Sequence, residues 1–175
     1  MVSSFSPRPS DATVFTLRPT CALAAPSFAS FRDGALFWHS FGLDVIPIRP
    51  GTKATAVPWD PWVARLSPGS IKSHWRRHPD HEVGFIVGDR IIVFDADSPE
   101  ALSALHAAEV RCGIEPLLVV GTRRGEHHYY RRDADISAAP SLRDLPPKLD
   151  VKTGRAMVVL PPSTGKTIIK LGASK

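Results

Sequence analysis

Apolar positions along the chain fall into two spacings, one helical and one of every second residue, and their alternation predicts a string of short elements. From Ser30, SFRDGALFWHSFG sets Phe31, Ala35, Leu36, Trp38 and Phe41 on one side of a helix. Ser30 is its N-cap, Asp33 follows three residues on, and Gly42 stops it. LDVIPI (43–48) alternates like a strand. The next stretch, RPGTKATAVPWDPW, is broken by three prolines and reads as a loop with Lys53 near its tip. SPGSIKSHWRRHP (67–79) predicts a second helix, with Pro68 in its first turn and Pro79 past its end. VGFIVG (83–88) and IIVFDAD (91–97) read as strands joined through Gly88-Asp89-Arg90. A third helix over 98–113 has Ser98 as N-cap, Pro99 at the first helical position and Gly113 as terminator.

Five more strands are expected at 116–121, 127–131, 149–152, 156–161 and 167–171. The order mixes helical with direct strand-to-strand connections, which predicts an α+β (mixed α/β) fold rather than an all-parallel sheet. Residues 1–29, rich in Ser, Pro and Ala and without periodicity, read as an irregular or mobile N-terminal arm, leaving 30–175 as one domain.

Composition narrows the classes. The two cysteines, Cys21 and Cys112, form no CxxC pair, so neither a disulfide framework nor a structural zinc is expected, and a reducing cytoplasm fits. No apolar run is long enough to span a bilayer, and the first residues lack a signal-peptide layout, so no membrane partner is expected. With 22 Lys+Arg against 17 Asp+Glu, the net charge of +5 suits either a polyanionic partner such as nucleic acid or plain solubility.

IIVFDAD ends a buried-looking strand in two acids that alternation places on one face. Like charges so close repel unless a cation lies between them, and oxygen-only ligands favour Mg²⁺ or Mn²⁺. A turn with an N-cap and a solvated acid fits the same letters. In GTRRGEHHYYRR, alternation puts His127, Tyr129 and Arg131 on one face of a strand and His128 and Tyr130 on the other, a pattern that suits phosphate contact or ordinary sheet packing. LDVKTGRAMVVLPPS brings Asp150 and Lys152 onto a common face. PPSTGKT ends like a phosphate loop, but Leu160 stands where that loop needs glycine, so an NTPase site is excluded. Trp38 belongs to a core face, while Trp59 and Trp62, among loop prolines, are expected to be exposed.

Together these segments resemble the bifunctional DNA primase/polymerase domain of the archaeo-eukaryotic primase superfamily, found in plasmid and phage replication proteins. VGFIVGDRIIVFDAD matches the first motif, with Asp95 and Asp97 as its acid pair. GEHHY matches the second, with His127 as the nucleotide-contacting histidine, and LDVKTGRAMVVLPPS the third, with Asp150 as the last acid. Upstream, FGLDVIPIRPGTK is similar to the family's first strand and lysine-bearing loop, and the resemblance covers roughly residues 30–170. Three departures stand out: the turn before His127 is a residue short and carries Arg123 and Arg124, Arg155-Ala156 replaces a Gly-Gly, and no His follows Pro-Pro-Ser.

The resemblance implies a compact primase-polymerase catalytic unit, an RRM-like sheet flanked by helices, that joins dNTPs or NTPs on a single-stranded DNA template. It implies that Asp95, Asp97 and Asp150 hold two divalent ions, Mg²⁺ or Mn²⁺, and that His127 holds a phosphate oxygen. Lys53, Arg124, Lys152 and Arg155 are the further phosphate-contact candidates, and a helicase domain or replication initiator is an expected partner. Two other classes remain open: a DNA-binding module of the same fold without activity, and a metal-dependent glycosyltransferase or nuclease using the two acids.

Overall fold

The computed structural model describes residues 26–132 and 145–172 of the 175-residue chain. The arm expected over 1–29 lies outside the described residues as far as residue 25. Phe28 already packs on the core, its ring 5.2 Å from that of Phe37, so the folded unit starts ahead of Ser30.

In chain order the elements are α1 (Phe31–Ser40), β1 (Val45–Ile48), α2 (Trp59–Val63), α3 (Pro68–Arg77), β2 (Glu82–Val87), β3 (Ile91–Ala96) and α4 (Pro99–Cys112). Then come β4 (Leu118–Gly121), β5 (Glu126–Arg131), β6 (Leu149–Lys152), β7 (Ala156–Val159) and β8 (Thr167–Leu171). The three longer helices start where local chemistry says they should. Ser30, Ser67 and Ser98 each accept a hydrogen bond from the backbone N–H three residues on, and α4 ends on Gly113 in the left-handed conformation. The short α2 lies inside the stretch expected to be loop. Pro58 and Pro61 permit it because both precede the point where a proline would remove a helical hydrogen bond.

Two antiparallel sheets result, β1-β2-β7 and β6-β3-β5-β4-β8. Strands β2 and β3, joined by a short turn, therefore belong to different sheets, and the chain crosses between the sheets again at β6–β7 and β7–β8. In the smaller sheet Pro47 stands on edge strand β1, where a missing N–H is tolerated. Strand β2 is buried along its whole length because both faces are covered. Val83, Phe85 and Val87 pack with Trp38, Ile71 and Trp75, while Ile86 packs on the far side with Ile46 and Ile48. Trp62 is half-buried rather than exposed, its indole N–H donating to the Val45 carbonyl at 2.7 Å; Trp59 is likewise half-buried.

One face of the larger sheet joins the main core through Val93, Val120, Tyr129 and Leu171, and α4 covers part of the other through Ala101 and Leu105. Ser163, 1% exposed, docks the β7–β8 loop on β2: its hydroxyl donates to the Val83 carbonyl and accepts from the Val83 N–H. Among the described residues no helix is long and apolar enough to cross a membrane.

Candidate active site

Strand β3 changes character along a single face. Ile91 and Val93 point into the core, and two residues on, Asp95 emerges where the sheet opens into a cleft. Asp95 lies directly opposite His127 of β5 on one side and directly opposite Asp150 of β6 on the other. Opposite partners in antiparallel strands share a face, so one row across the sheet carries two carboxylates and an imidazole. Asp97, just past the strand's end, also lines the cleft.

His127 Nε2 approaches Asp95 Oδ1 at 3.2 Å, with both side chains largely buried. The contact lacks the alignment of a good hydrogen bond. Asp95 Oδ1, His127 Nδ1 and the Tyr129 hydroxyl are all buried without a hydrogen-bond partner. They are the described side-chain atoms in that condition, and all three belong to this face. Burial pushes the Asp95 carboxyl up, but the His127 contact and the charges of Lys152 and Lys166 outweigh it and hold it below the usual carboxylate range. Burial, reinforced by the Asp95 charge, pushes the Tyr129 hydroxyl far up, so it remains a proton donor.

The cleft in front of this row has a volume of about 460 Å³. Its walls come from three loops: Lys53 on β1–α2, Arg123 and Arg124 on β4–β5, and Thr164 and Lys166 on β7–β8. The β4–β5 turn is held by Thr122, whose N–H donates to the Gly125 carbonyl at 2.8 Å. Gly125 lies so close to β3 that a Cβ there would stand 1.9 Å from the Ala96 carbonyl oxygen, which is why glycine precedes Glu126-His127. Arg124 reaches from this turn to Asp97 at 2.6 Å.

The sequence candidates are distributed unevenly. Asp95, Asp97, His127, Lys53 and Arg124 line the cleft. Asp150 shares their row but, on an edge strand, has a side chain 71% exposed. Lys152 bridges the acids, its Nζ 3.2 Å from Asp150 Oδ2 and 4.0 Å from Asp95 Oδ2. Arg155 is placed elsewhere: it pairs with Asp60 at 2.6 Å and lies over the Trp59 ring, outside the cleft lining. Lys166 is a cleft cation that no sequence motif marked, and Arg123, noted only as a departure in the turn before His127, lines the cleft as well. Lys166 belongs to the STGKT stretch, and comparison with a phosphate loop asked the wrong question of it. Burial lowers the Lys166 ammonium, with Asp95 and Asp97 opposing the shift.

An oxygen-ligated dication fits this floor. Asp95 Oδ1 is a buried acceptor with nothing well directed at it, and Asp97 and Asp150 add carboxylates on the same side of the sheet. The three carboxylates do not all lie within 4.8 Å of one another; among the described residues the one triad that does is His106, Glu109 and His128, on the opposite face.

A family model described as bifunctional DNA primase/polymerase, N-terminal, matches residues 35–169. Comparison with curated proteins finds no match.

Proposed function

The chain belongs to the bifunctional DNA primase/polymerase family, and on that premise we propose that it joins dNTPs or NTPs on a single-stranded DNA template, making and extending primers. Asp95, Asp97 and Asp150 would hold two divalent ions, Mg²⁺ or Mn²⁺, which when bound activate a primer 3′-hydroxyl and neutralise charge on the leaving pyrophosphate. The protein's own groups do the rest. Lys53, Arg123, Arg124 and Lys166 surround the cleft with positive charge that offsets a triphosphate and fixes its path. His127, on the cleft floor 3.2 Å from Asp95, would contact a phosphate oxygen of the nucleotide. Arg124 leaves Asp97 for phosphate as nucleotide enters, freeing that carboxylate. Replication of plasmid or phage DNA in the cytoplasm, with a helicase domain or replication initiator as partner, completes the proposal.

The observation that supports it most is the pair of unpartnered buried atoms, Asp95 Oδ1 and His127 Nδ1, on the floor of a cationic cleft. Unsatisfied buried groups cost about 1–3 kcal/mol each and call for a ligand to explain them. Incubation with a DNA template, labelled dNTPs or NTPs and Mn²⁺ tests it: product that disappears in Asp95→Ala is expected. Template shortening would make the protein a nuclease instead. A second reading draws on the cations that already engage the acids, Arg124 on Asp97 and Lys152 on Asp150. If they keep ions out, the domain binds DNA in a salt-dependent way without turnover.

A further inference from the structure

Behind the cleft, on the other face of the larger sheet, α4 packs over the strands and brings side chains to β5 that form a second set of donors. His106 and Glu109 are three residues apart on α4 and so project on one side of the helix, toward His128 of β5. One donor atom from each lies within 4.8 Å of the other two. His128 is 2% exposed, with Nδ1 2.6 Å from Glu109 Oε1 and Nε2 2.9 Å from Glu126 Oε2. The Tyr130 hydroxyl donates to the same Glu109 oxygen. His106 Nε2 stands 4.0 Å from Glu126 Oε2, its ring centroid 5.3 Å from that of His128.

We propose that His106, Glu109 and His128 form a binding site for one transition-metal dication of the Zn²⁺ class, with Glu126 beside it, separate from the ions of the cleft. Charge is the first reason. Glu109 and Glu126 are both largely buried, at 14% and 21% side-chain exposure; His128 offsets at most one of their charges, and the second has only the half-exposed His106, 4.0 Å from Glu126. A dication with neutral imidazoles balances both carboxylates. Donor type is the second reason: two imidazoles with a carboxylate suit zinc and its neighbours, whereas the oxygen-only floor of the cleft suits Mg²⁺ or Mn²⁺.

Geometry is the third reason. Zn–N bonds of about 2.0–2.1 Å place neighbouring donors of a tetrahedron roughly 3.3 Å apart, so the three donors need close by about 1.5 Å at most. His106 has the freedom to do this, since its side chain is 51% exposed. On binding, the metal takes the place of the proton on one His128 nitrogen, and the other nitrogen keeps its N–H for a carboxylate, which fixes the ring. The site needs no cysteine. It would tie α4 to the strand whose opposite face presents His127.

Because the cleft acids also attract dications, the test uses the full chain and a variant carrying Asp95→Asn, Asp97→Asn and Asp150→Asn. Each is dialysed against Zn²⁺ and analysed for bound metal, then titrated with Co²⁺ while visible d–d absorption is followed. One equivalent is expected to remain in the triple variant, with the absorption of a low-coordinate Co²⁺ site. Adding His106→Ala is expected to weaken binding at least tenfold and to abolish the rise in Tm that Zn²⁺ gives the parent; His106→Gln replaces it should the alanine variant unfold. Absence of stoichiometric metal in the triple variant, or unchanged affinity after loss of His106, overturns the proposal and leaves His128 as a structural residue held between two carboxylates.

Discussion

Asp95 and Asp150 face each other across the antiparallel pair of β3 and β6, although α4, β4 and β5 lie between them in sequence. Their environments differ sharply. Asp95 is 14% exposed in the cleft floor, and Asp150 is 71% exposed at the sheet edge. Removing Asp150 therefore leaves the core untouched while withdrawing one of three carboxylates. Asp150→Ala is expected to lower primer extension at least ~100-fold, a loss of about 2.7 kcal/mol or more of transition-state stabilisation, with Tm within a degree or two of wild type. Steady-state extension assays beside a thermal melt check it. Extension at the wild-type rate would remove Asp150 from the metal-binding set.

Lys166 is half-buried in the cleft wall, near the charges of Asp95 and Asp97 and of Lys53 and Arg124. A half-buried ammonium near two acids and two cations is positioned to meet an anionic ligand. Lys166→Ala is expected to cut kcat/KM for the nucleotide by about 10–100-fold, corresponding to a charge-assisted hydrogen bond of about 1.5–3 kcal/mol. The loss should appear mainly in nucleotide KM and much less in template affinity. Equal losses in both would mean a general electrostatic effect.

Gly125 ties the second motif to the first. A Cβ at this position would meet the Ala96 carbonyl oxygen at 1.9 Å and the Ala96 carbonyl carbon at 3.0 Å, both backbone atoms that cannot swing away. Gly125→Ala must move either the turn bearing Arg123 and Arg124 or the strand end bearing Asp97. We expect a stability loss of about 1–3 kcal/mol in urea titrations and a proportionally larger loss of extension activity. Full activity with unchanged stability would show that the turn relaxes freely.

These dependences also show what the sequence could and could not disclose. Caps and first-turn prolines act within one helical turn, so Ser30 and Ser98, and Pro68 at the start of α3, marked their helices correctly. Alternation acts within one strand, so it placed His127 with Tyr129 and His128 with Tyr130 on opposite faces. Strand partnership is settled at long range. Nothing local in Gly88-Asp89-Arg90 reveals that the strands on either side enter different sheets, or that β3 takes β5 and β6 as neighbours. Arg155 illustrates the same limit: its partner Asp60 belongs to the distant helix α2, and only the folded chain shows that this arginine is already engaged. Lys166 was hidden for the opposite reason, because a familiar motif drew attention and failed.

His74 supplies a test of stability that is independent of catalysis. It is 5% exposed on α3, its ring stacked edge-on against Trp62 and Trp75, with Nε2 2.9 Å from His81 Nδ1. Burial, then the nearby His81, His78 and Arg77 charges, lower its pKa from 6.5 to about 4. A base whose folded pKa is depressed binds its proton more readily in the unfolded chain. Stability is then unaffected above about pH 6.5 and falls as pH drops from 6.5 toward 4, by up to about 3 kcal/mol for a shift of this size. The buried carboxylates add their own acid sensitivity, but that part is common to wild type and a His74 variant and cancels in the difference. Urea unfolding of wild type and His74→Gln across pH 4 to 8 is expected to show the wild type more stable at pH 7, with the gap narrowing as pH falls through this window. A gap that stays constant with pH would mean that His74 accepts its proton inside the fold, and that its burial places no demand on its charge.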